Sequence, residues 1–376
     1  MKKKIRLGLL FGGRSGEHEV SLTSAASVLR ALDPEKYEVV PIGITREGGW
    51  RVGPSARQLL SSSPRLLPAI LENGKPVTAS VDPTQPALVA LNSSSATGES
   101  APAVDVVFPL LHGTFGEDGT VQGLLELAGI PYVGAGVLGS AAGMDKDVMK
   151  KLFRDAGLPV VPWVLVMRGE WESNPARARK LIEEKIRYPL FVKPANLGSS
   201  VGISKVRKSK ELRAALDLAG RYDRKILVEK GVEGREIECA LLGNDCPVAS
   251  VPGEIIPVNE FYDYEAKYVK KGSELIIPAK LTPAQTERVE ELAVRAFQAI
   301  DCAGMARVDF LLARKTGKIF VNEINTIPGF TPISMYPKLW EASGLAYSNL
   351  LDRLIELALE RQRDKGRTQY TYQPPK

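Results

Sequence analysis

The residues best suited to chemistry lie late in the chain. Ala306-Arg307-Val308-Asp309-Phe310-Leu311-Leu312 and Lys318-Ile319-Phe320-Val321-Asn322-Glu323-Ile324-Asn325 flank a Lys315-Thr316-Gly317 turn, which reads as a hairpin. With Thr316 as its midpoint, Asp309 pairs with Glu323 and Arg307 with Asn325. Alternation puts these four side chains on one face and leaves Val308, Phe310, Val321 and Ile324 free to bury or pair. An Asp, a Glu and an Asn amide supply hard oxygen ligands, which suit Mg²⁺ far better than zinc. An exposed polar strand face is the plainer alternative, but it would not need Asn325-Thr326-Ile327-Pro328-Gly329 to stop the strand just there.

Mg²⁺ held by few carboxylates points to nucleotide phosphates. The pattern G-x-x-x-x-G-K-[ST] occurs nowhere, so the phosphate grip must be built otherwise. Phe191-Val192-Lys193-Pro194 begins as a strand and runs into Ala195-Asn196-Leu197-Gly198-Ser199-Ser200-Val201-Gly202. Backbone N–H groups of such a loop fold over phosphate oxygens while Lys193 supplies a point charge; a polar hairpin loop would also explain the string. Ile226-Leu227-Val228-Glu229-Lys230-Gly231 is an apolar strand ending in two charges. It reads either as a hinge offering polar groups to an adenine, with Glu236 reaching a ribose hydroxyl, or as a strand running out into solvent.

These groups need a scaffold. The chain has 376 residues, 44% hydrophobic and 25% charged, which suggests two to four domains and excludes a disordered chain. No apolar run is long enough for a membrane helix. Met1 to Phe11 has the basic start of a signal peptide, but Arg6 interrupts it and Gly12-Gly13-Arg14-Ser15-Gly16-Glu17 follows, so a first strand is the better reading. Cys239, Cys246 and Cys302 are too few and too irregular for a disulfide framework or zinc site, and they fit a reducing cytoplasm. The net charge of +6 comes from scattered residues. No aromatic–basic stripe for nucleic acid occurs, and the cluster Arg361, Arg363, Lys365 and Arg367 reads as a solvated helix end.

Ile5 to Phe11, a helix over Val20 to Leu32 and a strand at Tyr37 to Ile44 form a βαβ unit with a parallel sheet. Residues 48–102, rich in Ser, Pro, Gly and Asn, read as an insertion of short strands and turns, and the core resumes at Val104 to Leu110. Gly134-Ala135-Gly136-Val137-Leu138-Gly139 matches G-x-G-x-x-G by letter. It lacks the strand before it and the acidic residue after it, and is read as a domain hinge leading into a helix near Asp145. Short strands and helices then alternate, followed by a long helix over Pro283 to Ile300 and a closing helix over Tyr347 to Arg361. No internal repeat is present.

The order of lysine strand, glycine loop, hinge Glu-Lys and D…E-x-N hairpin resembles the ATP-grasp enzymes. Gly12 to Ser21, His112-Gly113-Thr114-Phe115-Gly116-Glu117-Asp118-Gly119, Met144-Asp145-Lys146, Phe261 to Tyr268 and Asn325 to Thr331 resemble the D-alanine–D-alanine ligase family, in family order. The resemblance implies a three-domain α/β and α+β ATP-grasp fold. Residues 1–134 would form the substrate-binding α/β domain, 135–229 the central domain, and 230–376 the C-terminal domain with a lid at 257–272. It implies ATP-dependent joining of two D-alanines through an acyl phosphate, for peptidoglycan precursors. Lys146, Lys193 and Ser200 would hold phosphates, Glu229, Lys230 and Glu236 the adenosine, and Asn322 would also serve ATP. Asp309, Glu323 and Asn325 would bind two Mg²⁺, with Mn²⁺ a substitute. Lys267 would reach the γ-phosphate from the lid. Glu17 would bind the first D-alanine's ammonium and form a triad with Ser199 and Tyr268. Arg307 and the Gly329 N–H would serve the oxyanion, and Ser334 and Met335 the second substrate.

His112, in a Gly-rich loop where core burial is not expected, would lie near the first substrate's carboxylate; His18 is read as exposed. A homodimer and a cytoplasmic location are family expectations, with no membrane or nucleic-acid partner. D-Alanine–D-lactate ligases are the nearest rivals, but they lack E-A-K-Y, and Tyr268 points to an amine nucleophile. The H-G-x-x-G-E-D-G loop argues against other ATP-grasp carboxylate–amine ligases. A binding module without catalysis is disfavoured because every expected catalytic position is filled.

Overall fold

The computed structural model describes residues 3–53, 72–91, 102–198, 200–256 and 274–371. Three sheets carry the chain. In the first, β1 (Ile5–Gly12) pairs in parallel with β2 (Tyr37–Ile44) and β6 (Val106–Pro109), joined by α1 (His18–Ala31), as the βαβ reading predicts. The Ser/Pro-rich insertion extends this sheet antiparallel through β3 (Trp50–Val52), β4 (Lys75–Ala79) and β5 (Leu88–Ala90). Its face away from α1 is covered by α2 (Thr120–Leu127), whose Val121 and Leu125 join the apolar cluster of Leu10, Ile42 and Val107.

Two helices lead out of this sheet, α3 (Val137–Met144) and α4 (Lys146–Asp155). The helix expected near Asp145 is therefore the second of a pair. Asp145 caps it, its carboxylate accepting from the Asp147 and Val148 N–H groups. In the stretch read as a hinge the backbones approach closely: a Cβ on Gly304 would lie 3.1 Å from the Gly134 N, and one on Gly139 2.8 Å from the Asp301 carbonyl.

The second sheet is antiparallel, in the order β7 (Trp163–Met167), β10 (Lys225–Lys230), β8 (Leu190–Pro194), β9 (Ser204–Val206). Helices α5 (Arg168–Ser173), α6 (Pro175–Lys185) and α7 (Leu212–Tyr222) close its core through Trp171, Ile182 and Leu216. The third sheet is built on β11 (Gly234–Gly243), flanked by β12 (Val248–Ala249), β13 (Gly253–Ile256), β14 (Glu274–Ile276), β15 (Gly304–Ala313) and β16 (Ile319–Asn325). Helix α8 (Pro283–Ala299) lies across it. Thr282 and Gln285 make its capping box, and Val289, Leu292, Ala293, Ala296 and Phe297 form its buried stripe. Fully burying a side chain such as Phe297 is worth about 1.5–3 kcal/mol.

Helices α9 (Met335–Ala342) and α10 (Tyr347–Lys365) complete the chain. α10 is not a solvated end at Arg361. That guanidinium donates to the carbonyls of Gly134 and, at 2.9 Å, Tyr132, and lies 4.5 Å from the Tyr132 ring centroid. Lys365 pairs with Glu126. Arg363 and Arg367 are exposed as expected, but for Arg361 and Lys365 the expectation fails because their partners lie over 220 residues upstream, beyond the reach of local charge patterning.

Candidate active site

The β15–β16 hairpin has the register its sequence predicts over the polar half: Asp309 faces Glu323 and Arg307 faces Asn325. Beyond Asp309 the register shifts, so Phe310 faces Val321 and Asn322 is the extra residue of a bulge. The bulge is why Val321 and Ile324, three apart, are both buried while Asn322 and Glu323 are both partly exposed.

Arg307 organises this face. Its guanidinium meets both oxygens of Asp309 at 2.7 Å each and Glu238 Oε2 at 2.9 Å. Burial opposes the charge, but Asp309 and Glu238 outweigh it and hold the Arg307 pKa well above its ordinary value. Asn325 donates from Nδ2 to Asp309 Oδ2 at 3.1 Å. Glu238 was missed at the sequence level, although its spacing of two from Glu236 on β11 puts both on one face; β11 pairs Glu238 directly with Asp309.

Lys146 connects this face to the glycine loop. Its Nζ donates to the Leu197 carbonyl at 3.1 Å and lies 3.6 Å from Glu323 Oε2, while its backbone N–H donates to the Ala195 carbonyl. In the loop, Ser200 and Gly202 have left-handed backbone, φ 58° and 74°. Lys193 pairs with Glu229, which also meets a residue the sequence reading overlooked: Lys150, whose Nζ is 2.8 Å from Glu229 Oε1. Burial pushes the Glu229 pKa up, and the two lysines more than reverse it. Lys230 at the strand end is exposed, and Glu236 is partly buried on the adjoining β11.

Glu17 sits at the N-terminus of α1, packed between two glycines. A Cβ on either Gly113 or Gly198 would come within 2.8 Å of its Oε2, so its carboxylate lies between the His112 loop and the glycine loop. His112 is buried, at 5% exposure, contrary to the expectation for a Gly-rich loop. Its Nδ1–H donates to the Ile327 carbonyl at 3.1 Å and Nε2 accepts from Ser24 Oγ at 3.2 Å. Burial lowers its pKa against the pull of Glu17. His18 is buried as well: the first turn of α1 folds back on the glycine turn, and Nδ1–H donates to the Gly13 carbonyl at 2.8 Å. Glu117 accepts from the Gly113 N–H at 2.6 Å, and burial together with Glu17 pushes its pKa up to about 8.

Gly329 packs on Ser334, whose Oγ accepts from the Thr331 N–H at 3.0 Å. Met335 turns inward and packs in the core with Tyr336 and Leu339, beside Gly253. Ser199, Lys267, Tyr268 and the segment 257–273 lie outside the described residues.

Two family models match the chain: D-ala D-ala ligase N-terminus over residues 6–135 and D-ala D-ala ligase C-terminus over residues 152–356. The chain belongs to the D-alanine–D-alanine ligase family. It is 52% identical to the D-alanine–D-alanine ligase of Natranaerobius thermophilus over 97% of this chain and 98% of that one. The Heliobacterium modesticaldum ligase is also 52% identical, with 97% of each chain covered. The structure of the Coxiella burnetii D-alanine–D-alanine ligase superposes with a TM-score of 0.84 at 40% identity, covering 96% of both chains. The VanG D-Ala:D-Ser ligase of Enterococcus faecalis superposes at 0.83 and 39% identity, covering 95% of this chain and 100% of that one. The ATP-grasp expectation holds, and the chain is a ligase.

Among the described residues no three His, Cys, Asp or Glu side chains form a metal-holding group. The hairpin instead offers two facing carboxylates and a carboxamide, hard oxygen donors of the kind that fit a small divalent cation. Lys146 and Arg307 balance those carboxylates.

Proposed function

We propose that this face and the glycine loop form the phosphoryl-transfer centre of an ATP-dependent ligation of D-alanine to D-alanine, supplying peptidoglycan precursors. The observation that carries the reading is Lys146, whose ammonium spans the loop carbonyl of Leu197 and the carboxylate of Glu323. A γ-phosphate lying between those elements meets a lysine and the oxygen face together. Two Mg²⁺ ions, or Mn²⁺ in their place, would be held by Asp309, Glu323 and Asn325 and would neutralise phosphate charge.

The first D-alanine binds with its ammonium at Glu17 and its carboxylate towards the γ-phosphate. Its carboxylate oxygen attacks phosphorus, giving D-alanyl phosphate and ADP. Lys146, Lys193 and Ser200 hold the phosphates, Glu229, Lys230 and Glu236 the adenosine, and Asn322 adds a polar contact to ATP. The amine of the second D-alanine, its carboxylate at Ser334, then attacks the carbonyl carbon. Arg307 and the Gly329 N–H stabilise the oxyanion, phosphate leaves, and the amine loses a proton. Losing one oxyanion donor of this kind costs about 3–4 kcal/mol. Lys267 closes over the γ-phosphate, and Ser199 and Tyr268 orient Glu17. His112 lies near the first substrate's carboxylate, its ring anchored between Ser24 and Ile327. Met335 contributes through the packing under Ser334. Domains at 1–134, 135–229 and 230–376, a homodimer and a cytoplasmic location complete the reading.

The test is incubation with D-alanine, Mg²⁺ and ATP, following ADP, phosphate and dipeptide, with D-lactate and D-serine in parallel arms. Equal amounts of ADP, phosphate and D-alanyl-D-alanine, lost in Lys267→Ala, support the reading. Phosphate without dipeptide, or product only with D-lactate or D-serine, refutes the second substrate.

A further inference from the structure

One turn beyond Lys146 on α4 lies Lys150, and the reading above gives it no task. It is fully buried, at 0% exposure. Its Nζ stands 2.8 Å from Glu229 Oε1, while Lys193 takes Oε2 of the same carboxylate. At 2.8 Å the Lys150–Glu229 contact is a buried, charge-assisted pair. The neighbouring acid on α4, Asp147, is engaged elsewhere: by Lys151 at 2.8 Å, the Trp163 indole N–H at 3.1 Å and Lys225 at 3.3 Å. The Trp163 ring lies beside Lys150, its centroid 5.9 Å from Nζ. Burying an ammonium is costly, and a helix needing only to pack would do better with an apolar side chain here.

The arrangement has a consequence for nucleotide binding, resting on the assignment of Lys193 to phosphate and Glu229 to adenosine. Lys193 has three N–H donors, and how far it can turn them to a phosphate depends on how tightly Glu229 holds it. Two ammonium groups share one carboxylate here, so one can leave without stranding a buried charge. We propose that Lys150 is a positioning residue for ATP: it keeps Glu229 paired and aimed while Lys193 is released to the phosphates. Without Lys150, Glu229 holds Lys193 as its remaining counterion, and ATP must break that pair to bind.

The experiment compares the full-length enzyme with Lys150→Met, Lys150→Arg, Glu229→Gln and the double variant Lys150→Met/Glu229→Gln. Lys150→Met should raise the KM for ATP about tenfold or more while the KM for D-alanine stays within about twofold, and Lys150→Arg should recover most of the loss. The double variant should bind ATP no worse than Glu229→Gln alone, because the carboxylate that Lys150 restrains is gone. A Lys150→Met enzyme that melts like the parent and keeps the parental KM for ATP overturns the proposal, as do additive losses in the cycle. Should Lys150→Met fail to fold, the double variant, in which Lys193 is the one charge left of the trio as it is the one left to meet ATP, carries the test through fluorescent-nucleotide affinity against Glu229→Gln. Parity with Glu229→Gln supports the proposal, and a further loss of about tenfold refutes it. A parent that makes no dipeptide overturns the functional reading and this proposal together; an active parent with an ATP-indifferent Lys150→Met overturns this proposal alone.

Discussion

Arg307 balances two carboxylates at once, and its removal takes the guanidinium from both. Arg307→Met should cost about 3–5 kcal/mol, the range for breaking a buried ion pair from one side, read as a lower unfolding midpoint in urea. Adding Asp309→Asn to that variant should return part of the loss; if it does not, the Arg307–Asp309 contact is not what stabilises the hairpin. Glu117 makes the opposite kind of prediction. Its folded pKa of about 8 lies above the ordinary 4.5, so the folded chain holds a proton that the unfolded chain has released between those values. The stability this contributes is complete below about pH 4.5 and is lost as pH rises through about 8. Glu117→Gln never ionises, so the melting advantage of the parent over it should shrink from about pH 5 to about pH 9. A constant difference would mean that Glu117 is already ionised in the fold. Asp309, Glu323 and Asn325 were legible as a set because strand alternation is a local rule. Lys150, Glu238 and the burial of His18 and His112 were not, because each depends on a surface supplied by a distant segment.

Among the elements, the hairpin shows how a local rule both succeeds and needs correcting. Its polar rungs follow from counting outward from Thr316, but the burial of both Val321 and Ile324 requires the extra residue at Asn322. Nothing in the pattern of side chains announces a bulge of one residue, since either parity leaves apolar groups on one face. The glycine loop and the His112 loop show a second limit. Each reads from sequence as a polar turn, and only their approach from two sides of Glu17 explains why both carry glycine at the contact. Gly198→Ala puts a methyl group 2.8 Å from Glu17 Oε2 and displaces the carboxylate. The KM for D-alanine should rise about tenfold with little change in the KM for ATP, measured by initial rates. Equal rises in both constants would point to a damaged phosphate loop instead.

Across the whole molecule, the succession of α/β and α+β parts was legible from the spacing of strands and helices, but the seam between them was not. Residues of β1, α1 and β6 share one apolar cluster with α9 and α10, including Leu7, Phe108, Tyr336, Leu350 and Leu354. The Arg361 contacts with Tyr132 and Gly134 lock the same seam with charge. Arg361→Met should cost about 2–3 kcal/mol through its charged hydrogen bonds and speed amide exchange around residues 129–136, measured by mass spectrometry. Exchange confined to the α10 end would show that the clasp does not hold the first sheet. The shared cluster also bears on synthesis. A ribosome releases the first βαβ unit with one apolar face still uncovered, and the helix that covers it follows more than 300 residues later. At about 5–20 residues per second that face waits on the order of tens of seconds for its cover. During that interval the nascent chain is a client for holding factors, and a ribosome stalled before residue 350 leaves a product whose β1–α1 cluster lacks the α10 side chains that complete it.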